Sequence, residues 1–135
     1  MNVLVDTSVW SLALRRRAPR ANASVDELTE LIREGRVVII GPIRQELLSG
    51  IKEHRQFARL RDRLRAFPDL GLGQSDYEEA ASCLNACRAK GVQGSNTDFL
   101  ICSVAVRHDL SIFTTDRDFT EYQKHLPITL HEPRD

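Results

Sequence analysis

Val3-Leu4-Val5 stops abruptly at Asp6. An apolar run, two of its three residues β-branched, that ends on a carboxylate reads as a short strand covered on both faces, handing an acid to its carboxyl end. This feature constrains the fold more than any other in the chain. Strands buried on both faces belong to parallel sheets with helices on either side, and open sheets of that kind place their ligands at the carboxyl edge.

The segments that follow repeat the alternation of helix and strand. Ser8 to Leu14 has apolar residues at Val9, Leu12 and Ala13, widened by Trp10 and Leu14, which suits a short helix. The run Arg15-Arg16-Arg17-Ala18-Pro19-Arg20 marks an exposed connection. Ser24-Val25-Asp26-Glu27 has the form of a capping box; Val25, Leu28, Leu31 and Ile32 give the apolar face behind it, and Gly35 the stop. Val37-Val38-Ile39-Ile40 predicts a second strand. Gly41-Pro42 turns into a helix whose apolar set, Ile43, Leu47, Leu48 and Ile51, leaves Glu46 off the core stripe and within the first turn. A basic amphipathic helix over residues 52–67 has Phe57, Leu60, Leu64 and Phe67 on its apolar side. Ser75-Asp76-Tyr77-Glu78 predicts another capped helix, with Tyr77, Ala80, Ala81, Leu84 and Cys87 facing inward. After a loop over 91–96, Thr97-Asp98 opens a helix holding Ile101, Val104, Ala105 and His108. Ser111-Ile112-Phe113-Thr114 reads as a third strand and ends in Thr115-Asp116-Arg117-Asp118-Phe119. A short helical piece over 119–124 precedes Ile128-Thr129-Leu130 as an edge strand. No hairpin signal interrupts the series, so the expected fold is α/β: a single domain over residues 1–135, with a mostly parallel central sheet of about four to five strands flanked by helices.

Connectivity then gathers the acids. In a parallel sheet all strands leave at one edge, and each helix leading back to the next strand starts there. Asp6 and Asp116 follow strands, while Glu46 and Asp98 open helices, so all four belong on the same side, with Asp118 nearby. Two carboxylates ~4 Å apart repel by about 4 kcal/mol at an effective dielectric of about 20. A hard divalent cation resolves that conflict, and Mg²⁺ or Mn²⁺ is the expected cofactor of such an all-oxygen site. Bound there, it would polarise a phosphoryl oxygen and activate a water, so hydrolysis needs no nucleophilic side chain.

Bulk properties narrow the remaining classes. The 135 residues suffice for one core without disulfide or zinc staples. Nineteen acids balance nineteen Lys and Arg, so net charge names no polyanionic partner. Cys83, Cys87 and Cys102 form an odd set without a CxxC pair and read as small buried hydrophobes in a reduced, cytoplasmic setting. The chain starts without an export signal, and no apolar run reaches the ~20 residues of a membrane span, so no membrane partner is expected.

The quoted motifs resemble those of PIN-domain ribonucleases, in particular the VapC-type toxins of bacterial toxin–antitoxin pairs. The residues that carry the resemblance are Val3 through Trp10, Glu46-Leu47, Thr97-Asp98 with Phe99-Leu100-Ile101, and Thr114 through Phe119. It implies catalytic roles for Asp6, Glu46, Asp98 and Asp116, with Asp118 joining them as a metal ligand. It also implies Mg²⁺- or Mn²⁺-dependent endonucleolytic cleavage of RNA, a homodimer or a hetero-oligomer with the antitoxin, and an antitoxin that blocks the site. Thr7 and Thr114 would support the acids or a phosphate through their hydroxyls.

RNA requires cations, and the chain supplies them locally in Arg15, Arg16, Arg17 and Arg20, and again in Lys52, Arg55, Arg59, Arg61, Arg63 and Arg65. Arg44 and Arg117, beside acids of the presumed site, are further candidates for phosphate contact. Two enzyme rivals and one binding module compete with the nuclease reading. A phosphatase using Asp6 as covalent nucleophile would want a second Asp two residues on, where Ser8 stands. A phosphoryl-accepting receiver would want a Lys near the third strand, where Arg117 stands. A non-catalytic RNA- or protein-binding module would use the basic helix, with the acids only capping helices.

Overall fold

The computed structural model describes residues 1–14 and 22–135; the basic run at residues 15–20 lies outside the described residues. Three strands form a parallel sheet in the order β2-β1-β3, with β1 (Val3–Val5) central, β2 (Val37–Val38) on one side and β3 (Ser111–Phe113) on the other. Val3, Leu4 and Val5 are all fully buried, so both faces of the central strand are covered, as its composition demands. The register sets Leu4 beside Val38 and Ile112, and Val5 beside Phe113. Beyond these strands each edge continues by a single parallel bridge, Ile39 to Asp69 and Ile112 to Leu130. Among the described residues three strands form where about four to five were expected, with five chain positions across the layer. The segment at Leu130 pairs with Ile112 alone and does not extend into a ladder.

Seven helices are described: α1 (Thr7–Leu14), α2 (Ala23–Arg33), α3 (Gly41–Leu48), α4 (His54–Leu64), α5 (Gln74–Ala89), α6 (Asn96–Arg107) and α7 (Asp118–Gln123). The longest, α5, packs along α6, the most deeply buried helix, whose residues from Phe99 to Ala105 are all inside. Cys83, Cys87 and Cys102 are free thiols buried in this region, and burial pushes all three above the ordinary thiol range.

Two caps differ from the sequence reading for one shared reason. The N-cap of α2 is Asn22, whose side chain accepts from the Ser24 and Val25 amides, rather than Ser24. Glu27 is thereby released from capping and turns inward at 3% exposure, where the C-terminal tail meets it. His131 Nε2 lies 2.5 Å from one of its oxygens and Arg134 Nε donates to the other at 2.6 Å, while Arg134 also grips Glu34 at 2.9 Å. Likewise α5 begins after Gly73, not at Ser75. Asp76 accepts from the Gly73 amide at 2.9 Å and is buried against Arg107 and His108, each at 3.0 Å. An acid paired with Arg and His thus sits inside each helix, which displaces the expected stripes: Ile32 and Tyr77 are exposed, and the inner face of α5 is Asp76, Ala80, Cys83 and Cys87. On α4 only Leu64 is buried and Phe57 is exposed; Phe67, just beyond the helix, packs edge-on against Trp10. Gly35 leaves α2 with φ of 68°, a conformation in which a side chain would be strained.

Candidate active site

The carboxyl edge of the sheet opens into a cleft of about 670 Å³, and the acids line it from separate elements. Asp6 ends β1, and its carbonyl accepts the first helical amides of α1. Its amide bonds the Phe113 carbonyl at 2.8 Å, which ties the acid to the end of β3. Glu46 lies on α3 one turn later than expected, because that helix already starts at Gly41. Asp98 is the third residue of α6, where the Ser95 hydroxyl accepts its amide at 3.0 Å. Asp116 follows β3, and Asp118 opens α7.

Hydroxyls wire the acids together. Asp6 Oδ1 accepts from the Thr7 amide at 2.8 Å, and Oδ2 accepts from Thr114 Oγ1 at 2.8 Å and Ser8 Oγ at 3.1 Å. Thr7 Oγ1 donates to Glu46 at 3.1 Å, linking the first acid to the second. Thr114 Oγ1 also accepts the Asp116 amide at 3.0 Å, and Ser8 Oγ accepts the Thr115 amide at 3.1 Å. Asp98 Oδ2 accepts from the Tyr122 hydroxyl at 2.7 Å, and Asp116 Oδ1 caps the Asp118 amide at 2.9 Å.

Electrostatics agree with this crowding. Burial is the main reason that the Asp6 carboxyl is held above its ordinary value, only partly offset by its three donors and reinforced by Asp116. Burial likewise raises Asp98 against the bonds from Tyr122 and Ser95, with Asp116 and Asp6 adding to the rise. Asp98, Asp116 and Asp118 each offer an oxygen within 4.8 Å of the others, a spacing at which one cation can touch all three. The donors are carboxylates without His or Cys, so the set fits a hard divalent metal ion and not a soft one.

Of the residues predicted to contact substrate, Thr7 and Thr114 are in this network. Arg44 is turned elsewhere: it pairs with Asp69 at 2.9 Å and donates to the carbonyls of Leu64 at 3.0 Å and of Phe67. Its three bonds fasten α3 to the end of α4. Arg117 is exposed, at the N-cap of α7. Two participants escaped the sequence reading. Ser8 had a local signal, a hydroxyl two residues after a strand-end Asp; Tyr122 had none, since its spacing from Phe119 marks it only as core.

The geometry has counterparts among known proteins. The PIN domain family profile matches residues 3–125. The VapC ribonuclease Mb1587 of Mycobacterium bovis and Ribonuclease VapC11 of Mycobacterium tuberculosis are each 32% identical over 121 residues, 87% of this chain and 88% of theirs. Among solved structures, FitAcB from Neisseria gonorrhoeae superposes with a TM-score of 0.77 at 22% identity, covering 97% of both chains. VapBC2 from Rickettsia felis, bound to a promoter DNA fragment, gives 0.77 at 19% identity over 97% of this chain and 98% of that one. With the profile spanning all three strands and all seven helices, and curated relatives matching over most of both lengths, the chain belongs to the PIN-domain family, on its VapC ribonuclease branch.

Proposed function

We propose that the protein is a Mg²⁺- or Mn²⁺-dependent endoribonuclease, the toxin of a toxin–antitoxin pair, with Asp6, Glu46, Asp98 and Asp116 as its catalytic acids and Asp118 as an additional metal ligand. The observation that carries this reading is the gathering of Asp6, Glu46, Asp98 and Asp116, from opposite ends of the chain, into one cleft, with Asp118 within reach of Asp98 and Asp116. A bound divalent ion would supply Lewis acidity and a water of lowered pKa. The chain's own part is to fix the geometry. Thr114 and Ser8 hold Asp6, Thr7 holds Glu46, and the β3–α7 turn presents Asp116 and Asp118 together. Both Asp6 oxygens already accept hydrogen bonds, an arrangement that favours a fixed ligand over a covalent nucleophile.

The phosphate-binding surface includes Arg59 and Arg63 of α4. They line a groove of about 470 Å³ that shares α1 and α3 with the cleft, and they carry no ion pair among the described residues. Arg61 and Arg65 instead pair with Asp62. The antitoxin partner is inferred from the VapC relatives and from the VapBC and FitAB structures that share the fold. No helix among the described residues is long and apolar enough to cross a membrane. RNA cleavage assayed with Mg²⁺, with chelator and in Asp6→Asn tests the assignment: cutting is expected only in the first condition. An Asp6→Asn protein that cuts RNA at the wild-type rate would overturn it.

A further inference from the structure

Tyr122 is fully buried on α7, yet its hydroxyl reaches the acid site. Its ring packs against Phe99 and Phe119 at centroid distances of 4.8 and 5.1 Å, and its O–H donates to Asp98 Oδ2 at 2.7 Å. We propose that Tyr122 is a positioning residue for the metal-binding carboxylate of Asp98, and that Gly94 exists to leave room for it. This rests on the reading of Asp98, Asp116 and Asp118 as a cation site.

An Asp in the first turn of a helix has several rotamers open to solvent, and only some of them turn an oxygen toward Asp116 and Asp118. The Tyr122 hydroxyl takes up Oδ2, and the rigid aromatic packing behind it fixes where that oxygen sits. Oδ1 and the remaining lone pairs are left for a cation. Metal-ligating carboxylates are commonly oriented by such outer hydrogen bonds, whose loss typically costs about 10–100-fold in metal affinity. A phenol offers its O–H and a carboxylate only acceptor oxygens, so Tyr122 is the donor of this bond.

Gly94 supplies an independent observation. A Cβ there would collide with the Tyr122 hydroxyl oxygen and lie 2.8 Å from Tyr122 Cζ and 2.9 Å from Phe99 Cε2. Its φ is not in the left-handed region, so the constraint is space and not backbone conformation. The close approach of the Gly94 backbone thus confines the Tyr122 hydroxyl to the place where it meets Asp98.

Mn²⁺ binding to the intact protein, followed by the electron paramagnetic resonance of free Mn²⁺, tests the proposal without relying on cleavage. Tyr122→Phe keeps the ring and is expected to raise the Mn²⁺ Kd about tenfold or more, while the melting temperature in chelator stays close to wild type. Gly94→Ala reaches the same bond from the other side and is expected to weaken Mn²⁺ binding as well, so a failure of one variant to fold leaves the other informative. Asp98→Asn serves as the reference for loss of the ligand. Wild-type affinity in folded Tyr122→Phe or in folded Gly94→Ala, with binding lost in Asp98→Asn, overturns the role of Tyr122 and leaves the cation site standing. Absence of Mn²⁺ binding by the wild type overturns both.

Discussion

Asp116→Asn should make the metal-free protein more stable and the metal-loaded protein less so. Asparagine keeps an oxygen where Asp116 Oδ1 accepts the Asp118 amide, so the turn into α7 is retained and only the charge is lost. That charge lies within 4.8 Å of carboxylate oxygens on both Asp98 and Asp118. Coulomb's law puts one pair at this distance at about 0.9 kcal/mol in the dielectric of water and about 3.5 kcal/mol at an effective dielectric of about 20. The cleft is open to solvent and Asp118 is exposed, so the relief for two pairs should fall nearer the lower figure, at about 1–3 kcal/mol in total. For a chain of this size that is a rise in melting temperature of roughly 3–10 °C in chelator. Added Mn²⁺ at a thousand times its Kd stabilises the wild type by about 4.1 kcal/mol, a gain the variant lacks, so the order of melting temperatures should reverse. Thermal unfolding of both proteins, with chelator and with saturating Mn²⁺, measures all four values. A variant no more stable than wild type in chelator, or one that responds to Mn²⁺ equally, would refute the idea that these acids store repulsion relieved by a cation.

Three other perturbations separate site from scaffold. Thr114→Val removes the hydroxyl shared by Asp6 and the Asp116 amide and should lower RNA cleavage about 10–100-fold, with Thr114→Ser restoring most of it; cleavage rates on one RNA compare the three. Arg44→Ala strips hydrogen bonds from Asp69 and two carbonyls and should cost about 2–4 kcal/mol in urea unfolding while leaving the Mn²⁺ Kd unchanged. The third perturbation is acid. Burial alone would raise the Glu27 carboxyl, but bonds from Arg134 and His131 outweigh it and hold the group below its ordinary 4.5. A depressed carboxyl contributes stability that is complete above that value and is lost as pH falls through the folded-state value. Stability should therefore drop as pH falls below the ordinary carboxylate range, more gently in Glu27→Gln, as urea midpoints across an acid series would register.

What the sequence revealed follows from whether a cause is local. Val3-Leu4-Val5 and Ile112-Phe113 are buried on both sides, and their apolar runs say so without reference to any other residue. Asp6, Asp98 and Asp116 could be placed on one edge because parallel connectivity alone dictates where strands end and helices begin. The misplaced features depend on partners far along the chain. Glu27 looks like a capping residue until Arg134, over a hundred positions later, draws it inward. Asp76 turns the face of α5 because Arg107 and His108 await it at the end of α6. Arg44 looks available for phosphate until Asp69 and the end of α4 claim it. The Tyr122 hydroxyl finds Asp98 only once α7 has docked beside α6.

Along the chain the central strand precedes both of its neighbours, and one of them follows only after a long intervening stretch. β1 pairs with β3 across more than a hundred intervening residues, and Asp6 is anchored by Thr114 from that far side. During synthesis β1 therefore has no β3 to pair with, and Asp6 no Thr114 hydroxyl to anchor it, until residues 111–114 have been added more than a hundred positions later.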